Sequence, residues 1–205
     1  RRSSDLNDRF RPMEGTAETV CKYLQDPEFL FFLGNTDPKK NTPGTLKAYA
    51  EYVRRSEKPL PLLIADLGEQ PAEAILREIG EPRLRGMLRL AGYIPNSDLP
   101  AIYNRASAFL YTSLRESFGI PQLEAMACGT PVVTSATSAI PEVAGEGAIL
   151  VDPTDPKAIA DALLRLETDA AFRARQVAYG LDRVKQFSWE KTARHLLTLY
   201  ESLGK

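Results

Sequence analysis

Arg115–Pro131 reads R-E-S-F-G-I-P-Q-L-E-A-M-A-C-G-T-P, and the fold of the chain turns on this stretch. The strand-like run Ala108–Tyr111 stands just before it, and Gly129 and Pro131 close it, a good helix C′ residue followed by one that cannot extend a helix. Between them Ile120, Leu123, Ala127 and Cys128 recur at helical spacing, and Pro121 suits a first turn, where its missing N–H costs nothing. The stretch therefore reads as strand, turn, helix, with Phe118-Gly119-Ile120 at the helix mouth. A helix start leaves backbone N–H groups unpaired and carries partial positive charge, which makes it a seat for phosphate. Two carboxylates bracket that seat: Glu116 in the turn, and Glu124 about one turn inside the helix. On spacing alone, both also fit a plain structural reading, because glutamates on helices are usually solvated.

Glu116, seven intervening residues and Glu124, running into Ala-Met-Ala-Cys-Gly-Thr-Pro-Val-Val, resemble the E-x7-E signature of retaining GT-B nucleotide-sugar glycosyltransferases. More narrowly, the stretch is similar to the group 1 family. The resemblance implies that Glu124 accepts hydrogen bonds from the ribose of the donor. It implies that Glu116 lies near the sugar as the catalytic carboxylate, and that Phe118, Gly119 and Ile120 border the diphosphate. Both carboxylates are expected to face a cleft, with Glu124 governing nucleotide affinity and Glu116 leaving it unchanged.

Composition is that of an ordinary globular protein: 205 residues, 43% hydrophobic and 26% charged. A net charge of −1 gives no support for a nucleic-acid partner, and no apolar run approaches the ~20 residues of a membrane-spanning helix. Two cysteines are too few for a disulfide framework, and no Cys/His cluster points to zinc. Cys128, among small helix residues, reads as a packed thiol, and the expected compartment is a reducing cytoplasm.

Taken in order, residues 1–12 read as a linker or a partly ordered lead-in, and 13–205 as the domain. The periodicity predicts a helix over Thr16–Gln25 with Ala17, Val20, Cys21 and Leu24 on one face. Phe29–Leu33 is a continuous apolar run, as in parallel strands covered on both faces. It stops at the turn-rich Gly34-Asn35-Thr36-Asp37-Pro38-Lys39-Lys40-Asn41. Most Lys-Lys pairs are solvated, but a loop after the first strand of a doubly wound sheet lies where ligands bind. This loop resembles the family's glycine-plus-basic loop that contacts the donor diphosphate. Lys40 falls at the family's lysine position, Asn35 stands where many members carry arginine, and Lys39 is a second basic candidate. Further strands are expected at Leu60–Ala65, Met87–Ala91, Val132–Val133 and Ala148–Val151. In the family the loop beginning Gly92-Tyr93-Ile94-Pro95 borders the base, through backbone at the position of Ile94. Ser138–Val143 reads chiefly as packing. Asp155 caps a helix beginning at Pro156, another spans Ala170–Phe187, and the last carries Trp189, Ala193, Leu196, Leu197, Tyr200 and Leu203 as a stripe. His195 falls off that stripe and reads as solvated.

Strands alternating with helices indicate one α/β, Rossmann-like three-layer domain with a mostly parallel six-stranded sheet. The resemblance makes it one half of a GT-B fold, the acceptor-binding N-terminal domain lying outside the sequence. It implies a hexosyltransferase using a GDP- or UDP-sugar, needing no metal or other cofactor, inactive as the isolated chain, and touching a membrane only through its other domain. A nucleotide-sugar-binding module without catalysis is the second reading. An unrelated dinucleotide-binding protein is the third, disfavoured because no G-x-G-x-x-G follows the first strand.

Overall fold

In the computed structural model, which describes residues 9–203, six strands form one all-parallel sheet in the order β3-β2-β1-β4-β5-β6. They are β1 (Leu30–Leu33), β2 (Leu62–Ala65), β3 (Leu88–Gly92), β4 (Ala108–Tyr111), β5 (Val132–Ser135) and β6 (Ile149–Val151). The helices are α1 (Ala17–Val20), α2 (Thr42–Arg55), α3 (Glu69–Glu78), α4 (Leu99–Arg105), α5 (Ile120–Ala127), α6 (Ile140–Ala144), α7 (Pro156–Thr168), α8 (Ala170–Val184) and α9 (Trp189–Leu203).

Alternation along the strands splits the core in two, because successive side chains point to opposite faces. Phe31, Leu63 and Phe109 meet Ile102, Tyr103, Leu123 and Met126 of α4 and α5 on one face. Leu30, Phe32, Leu62, Ile64 and Leu110 meet Leu46, Tyr49, Leu76, Ile159 and Leu163 of α2, α3 and α7 on the other. Both faces are covered, so the strands carry apolar runs rather than an apolar–polar alternation. Asp155 accepts backbone hydrogen bonds from Lys157 (2.9 Å) and Ala158 (3.1 Å) as the cap of α7, as the Asp-Pro signal predicts.

The order of strands matters for function. The chain winds outward through β1, β2 and β3, then returns to lay β4 against the free side of β1. Neighbouring loops after β1 and β4 therefore run in opposite directions, opening a crevice at the strands' carboxyl ends.

Two expectations change. The first helix is a single turn, Ala17–Val20; Val20 and Leu24 are buried while Ala17 and Cys21 face solvent. Immediately beyond it, Tyr23 and Lys22 turn to Asp98, whose carboxylate accepts from the phenol at 2.8 Å and from the ammonium at 3.4 Å. Asp98 therefore does not cap α4 with its side chain, and these bonds, the phenol's first, hold its carboxyl below the usual range. The stripe on α9 has the expected period, but no residue of that helix is buried; Leu196, Leu197, Tyr200 and Leu203 are exposed. The two halves of the core are already closed by α1–α8, so periodicity alone gave no cover for α9. The expectation for residues 1–8 lies outside the described residues; at Phe10 the chain is already packed, its ring against Tyr103.

Candidate active site

The loops along the carboxyl edge share an unusual backbone. Asn41 (φ 55°) follows β1, Asp66 (61°) follows β2, Gly92 (61°) ends β3, Gly119 (94°) follows β4 and Ser138 (58°) follows β5. Three of these carry side chains in the left-handed region, which L-residues visit at a cost and which clusters at functional sites. At Gly119 only glycine fits: a Cβ there would stand 2.8 Å from the Gln122 amide nitrogen and 3.3 Å from the Tyr111 ring.

At the centre of this edge Lys40 Nζ meets Glu116 Oε1 at 2.7 Å. The two residues are far apart in sequence and are brought together by the switch point. Their side chains are 26% and 19% exposed, sheltered enough for a meaningful ion pair yet open to a ligand. The Lys40 ammonium also stands 5.6 Å from the centre of the Tyr111 ring.

Asn41 holds the two loops in register. Its amide donates to the backbone oxygens of Thr112 (3.1 Å) and Pro153 (2.8 Å), while Leu114 N–H donates to Lys39 O at 2.7 Å. Asn35 does not reach outward: its side-chain oxygen accepts from Asp37 N–H (2.8 Å) and its carbonyl from the Thr42 hydroxyl (2.6 Å). That is a loop-shaping turn, so Asn35 is not a charge substitute for arginine. Lys39 is exposed on the same loop.

Gly119 caps α5 and Ile120 begins it, so the helix mouth opens beside Glu116. Phe118 is exposed at this mouth, its ring edge-on to Phe187 at 5.9 Å. Ile94, just past β3, is buried in the half of the core that also holds Leu99, Ile102 and Leu123.

Glu124 differs from expectation. It is 5% exposed, and the buried Tyr103 phenol donates to its Oε2 at 3.2 Å. Every residue of α5 from Gln122 to Ala127 is buried, so this carboxylate sits inside a packed helix rather than on an open wall. Burial first, and the charge of Glu124 second, push the neighbouring Cys128 thiol up to about 12. Cys128 is a packed thiol, as its surroundings in the sequence indicate. His195 is exposed on α9. Among the described residues no three His, Cys, Asp or Glu side chains gather as a metal site, and no helix is long and apolar enough to cross a membrane.

The fold and this edge define a doubly wound α/β domain with a crevice at its switch point. The profile of the group 1 glycosyl transferases matches residues 22–183, and the chain belongs to that family. It is 34% identical over 175 residues to the O-antigen chain mannosyltransferase B of Escherichia coli, covering 85% of this chain and 46% of that protein. It is 31% identical to a D-inositol 3-phosphate glycosyltransferase of a Nocardioides species, covering 93% and 45% respectively. The chain thus spans about half the length of these relatives. Its fold matches sucrose-phosphate synthase of Thermosynechococcus elongatus with a TM-score of 0.76 at 27% identity, covering 95% of this chain and 49% of that one. It also matches the C-terminal domain of the group 1 protein LpcC of Francisella tularensis, with a TM-score of 0.74 at 22% identity, over 88% of this chain and 96% of that one. The GT-B half expected from the sequence is therefore the fold observed.

Proposed function

We infer that this chain is the donor-binding half of a retaining hexosyltransferase that takes its sugar from a GDP- or UDP-sugar. The observation that carries this reading is the Lys40–Glu116 pair set against the Gly119–Ile120 helix mouth at the switch point. A departing diphosphate needs positive charge placed in advance. Lys40, Lys39 and the mouth amides provide it, so the reaction proceeds without a metal. As the anomeric bond to the diphosphate breaks and an acceptor oxygen takes its place, positive charge develops at the sugar. Glu116 is placed to stabilise that charge or to orient a sugar hydroxyl. Glu124 is the ribose carboxylate and Ile94 offers backbone to the base.

The acceptor belongs to a second, N-terminal domain. Support for this comes from the half-length match to the relatives and from the exposed apolar side of α9, which such a domain would cover. Two cysteines outside any disulfide agree with a cytoplasmic enzyme, membrane contact being left to the other domain. Calorimetry with GDP, UDP, a GDP-sugar, a UDP-sugar and NAD tests the reading. The expected result is weak binding of one nucleoside diphosphate and its sugar form, insensitive to EDTA, with no response to NAD and no transfer by the chain alone. Binding of NAD alone would overturn it.

A second reading, a sugar-nucleotide-binding module without turnover, draws on Asn35, whose carboxamide closes its own loop instead of presenting charge. Transfer by the chain joined to its N-terminal half would exclude it.

A further inference from the structure

The backbone that carries Glu116 is gripped along its length by one neighbouring segment. The Thr134 hydroxyl donates to Tyr111 O (3.0 Å), Ser135 to Ser113 O (2.6 Å), and Thr137 to Leu114 O (3.3 Å). The last rung falls on Glu116 itself. Ser138 Oγ donates to Glu116 O at 2.7 Å and accepts from Glu116 N–H at 3.3 Å. Ser138 does so from a left-handed backbone (φ 58°), a conformation that does not come free to serine. Glu116 thus has its main chain held by Ser138 and its side chain by Lys40.

We propose that Ser138 is a positioning residue for Glu116. Resting on the donor-site reading above, its hydroxyl fixes where the Glu116 carboxylate meets the sugar of a bound sugar nucleotide. Ser138 touches no donor atom in this account. It acts through Glu116, by removing the freedom of the loop after β4 before the donor arrives, in the way a rigid site is held by its supporting shell.

The test compares Ser138→Ala and Ser138→Gly, each alone and combined with Glu116→Gln, on the whole chain. Both variants lose the hydroxyl; only the glycine variant also relaxes the backbone. Amide exchange at Glu116 should quicken by about tenfold or more in both, because the amide loses its acceptor and the loop its clamp. Affinity for GDP-mannose or UDP-glucose should fall about three- to tenfold, with GDP or UDP affinity unchanged, and this loss should vanish in the Glu116→Gln background. Unchanged exchange at Glu116, or a change in the glycine variant only, overturns the clamp. A loss of sugar-nucleotide affinity that persists in the Glu116→Gln background overturns action through Glu116. If the unaltered chain binds neither sugar nucleotide, the donor-site reading and the proposed positioning role both fail, while exchange still decides whether the clamp exists.

Discussion

Glu116→Gln should tighten nucleoside diphosphate binding, where the sequence alone leads one to expect no change. Without ligand, Lys40 already holds an anion, the Glu116 carboxylate at 2.7 Å. An incoming diphosphate must compete for that ammonium and approach the same carboxylate. Exposed ion pairs contribute about 0.2–1 kcal/mol and charge-assisted hydrogen bonds about 1.5–3 kcal/mol. With side chains 26% and 19% exposed, this pair falls between those limits. Two like charges about 4 Å apart repel by about 1 kcal/mol in water and about 4 kcal/mol at a partly screened surface. An open edge takes the lower figure, so Glu116→Gln should gain about 1 kcal/mol, roughly fivefold in Kd. Lys40→Ala should lose about 1–2 kcal/mol, roughly five- to thirtyfold, and flatten the salt dependence. The double variant decides the cause: if competition for Lys40 dominates, the gain from Glu116→Gln falls below about twofold once Lys40 is gone. Calorimetry on the four proteins with GDP and UDP measures all three quantities. Weaker binding in Glu116→Gln would refute the reasoning, since the carboxylate would then be contacting the nucleotide favourably.

Glu124→Gln should weaken binding of the same ligand by about 1–3 kcal/mol through loss of a charge-assisted bond to ribose, and 2′,3′-dideoxy nucleotides should no longer be discriminated against. Asp155→Ala should lower stability by about 1 kcal/mol in urea unfolding, with unchanged nucleotide affinity, because it removes only the cap of α7. A thiol reagent at pH 8 should label Cys21 alone in the folded chain and both cysteines after unfolding, since the buried Cys128 thiol is pushed up to about 12 and stays protonated.

The sheet was legible because parallel strands buried on both faces leave unbroken apolar runs, and Ala108–Tyr111 matches its strand end for end. The nearness of Lys40 and Glu116 was legible through topology, since the switch-point rule brings their loops together, and through the resemblance that sets both at the donor. The ties made by Asn41 and Ser138 left no trace, because a polar residue that holds backbone from another loop has no period. Asn35 shows the limit of reading by position, as its carboxamide is spent on its own turn. The α9 stripe shows the converse: a period announces an apolar face and says nothing about what covers it.

The burial of Glu124 did have a signal. Between Pro121 and Val133 it is the only charged residue, and a helix without a polar face is a helix packed on all sides. A carboxylate held there costs several kcal/mol in lost hydration, of which partners such as the Tyr103 hydroxyl return a part. A chain selected for stability alone would carry glutamine or leucine at this place. Glutamine keeps an oxygen for Tyr103 and removes the buried charge, so Glu124→Gln should melt no lower than the natural chain even as it loses nucleotide affinity. That separation of stability from binding is what marks a charge kept for a ligand rather than for the fold.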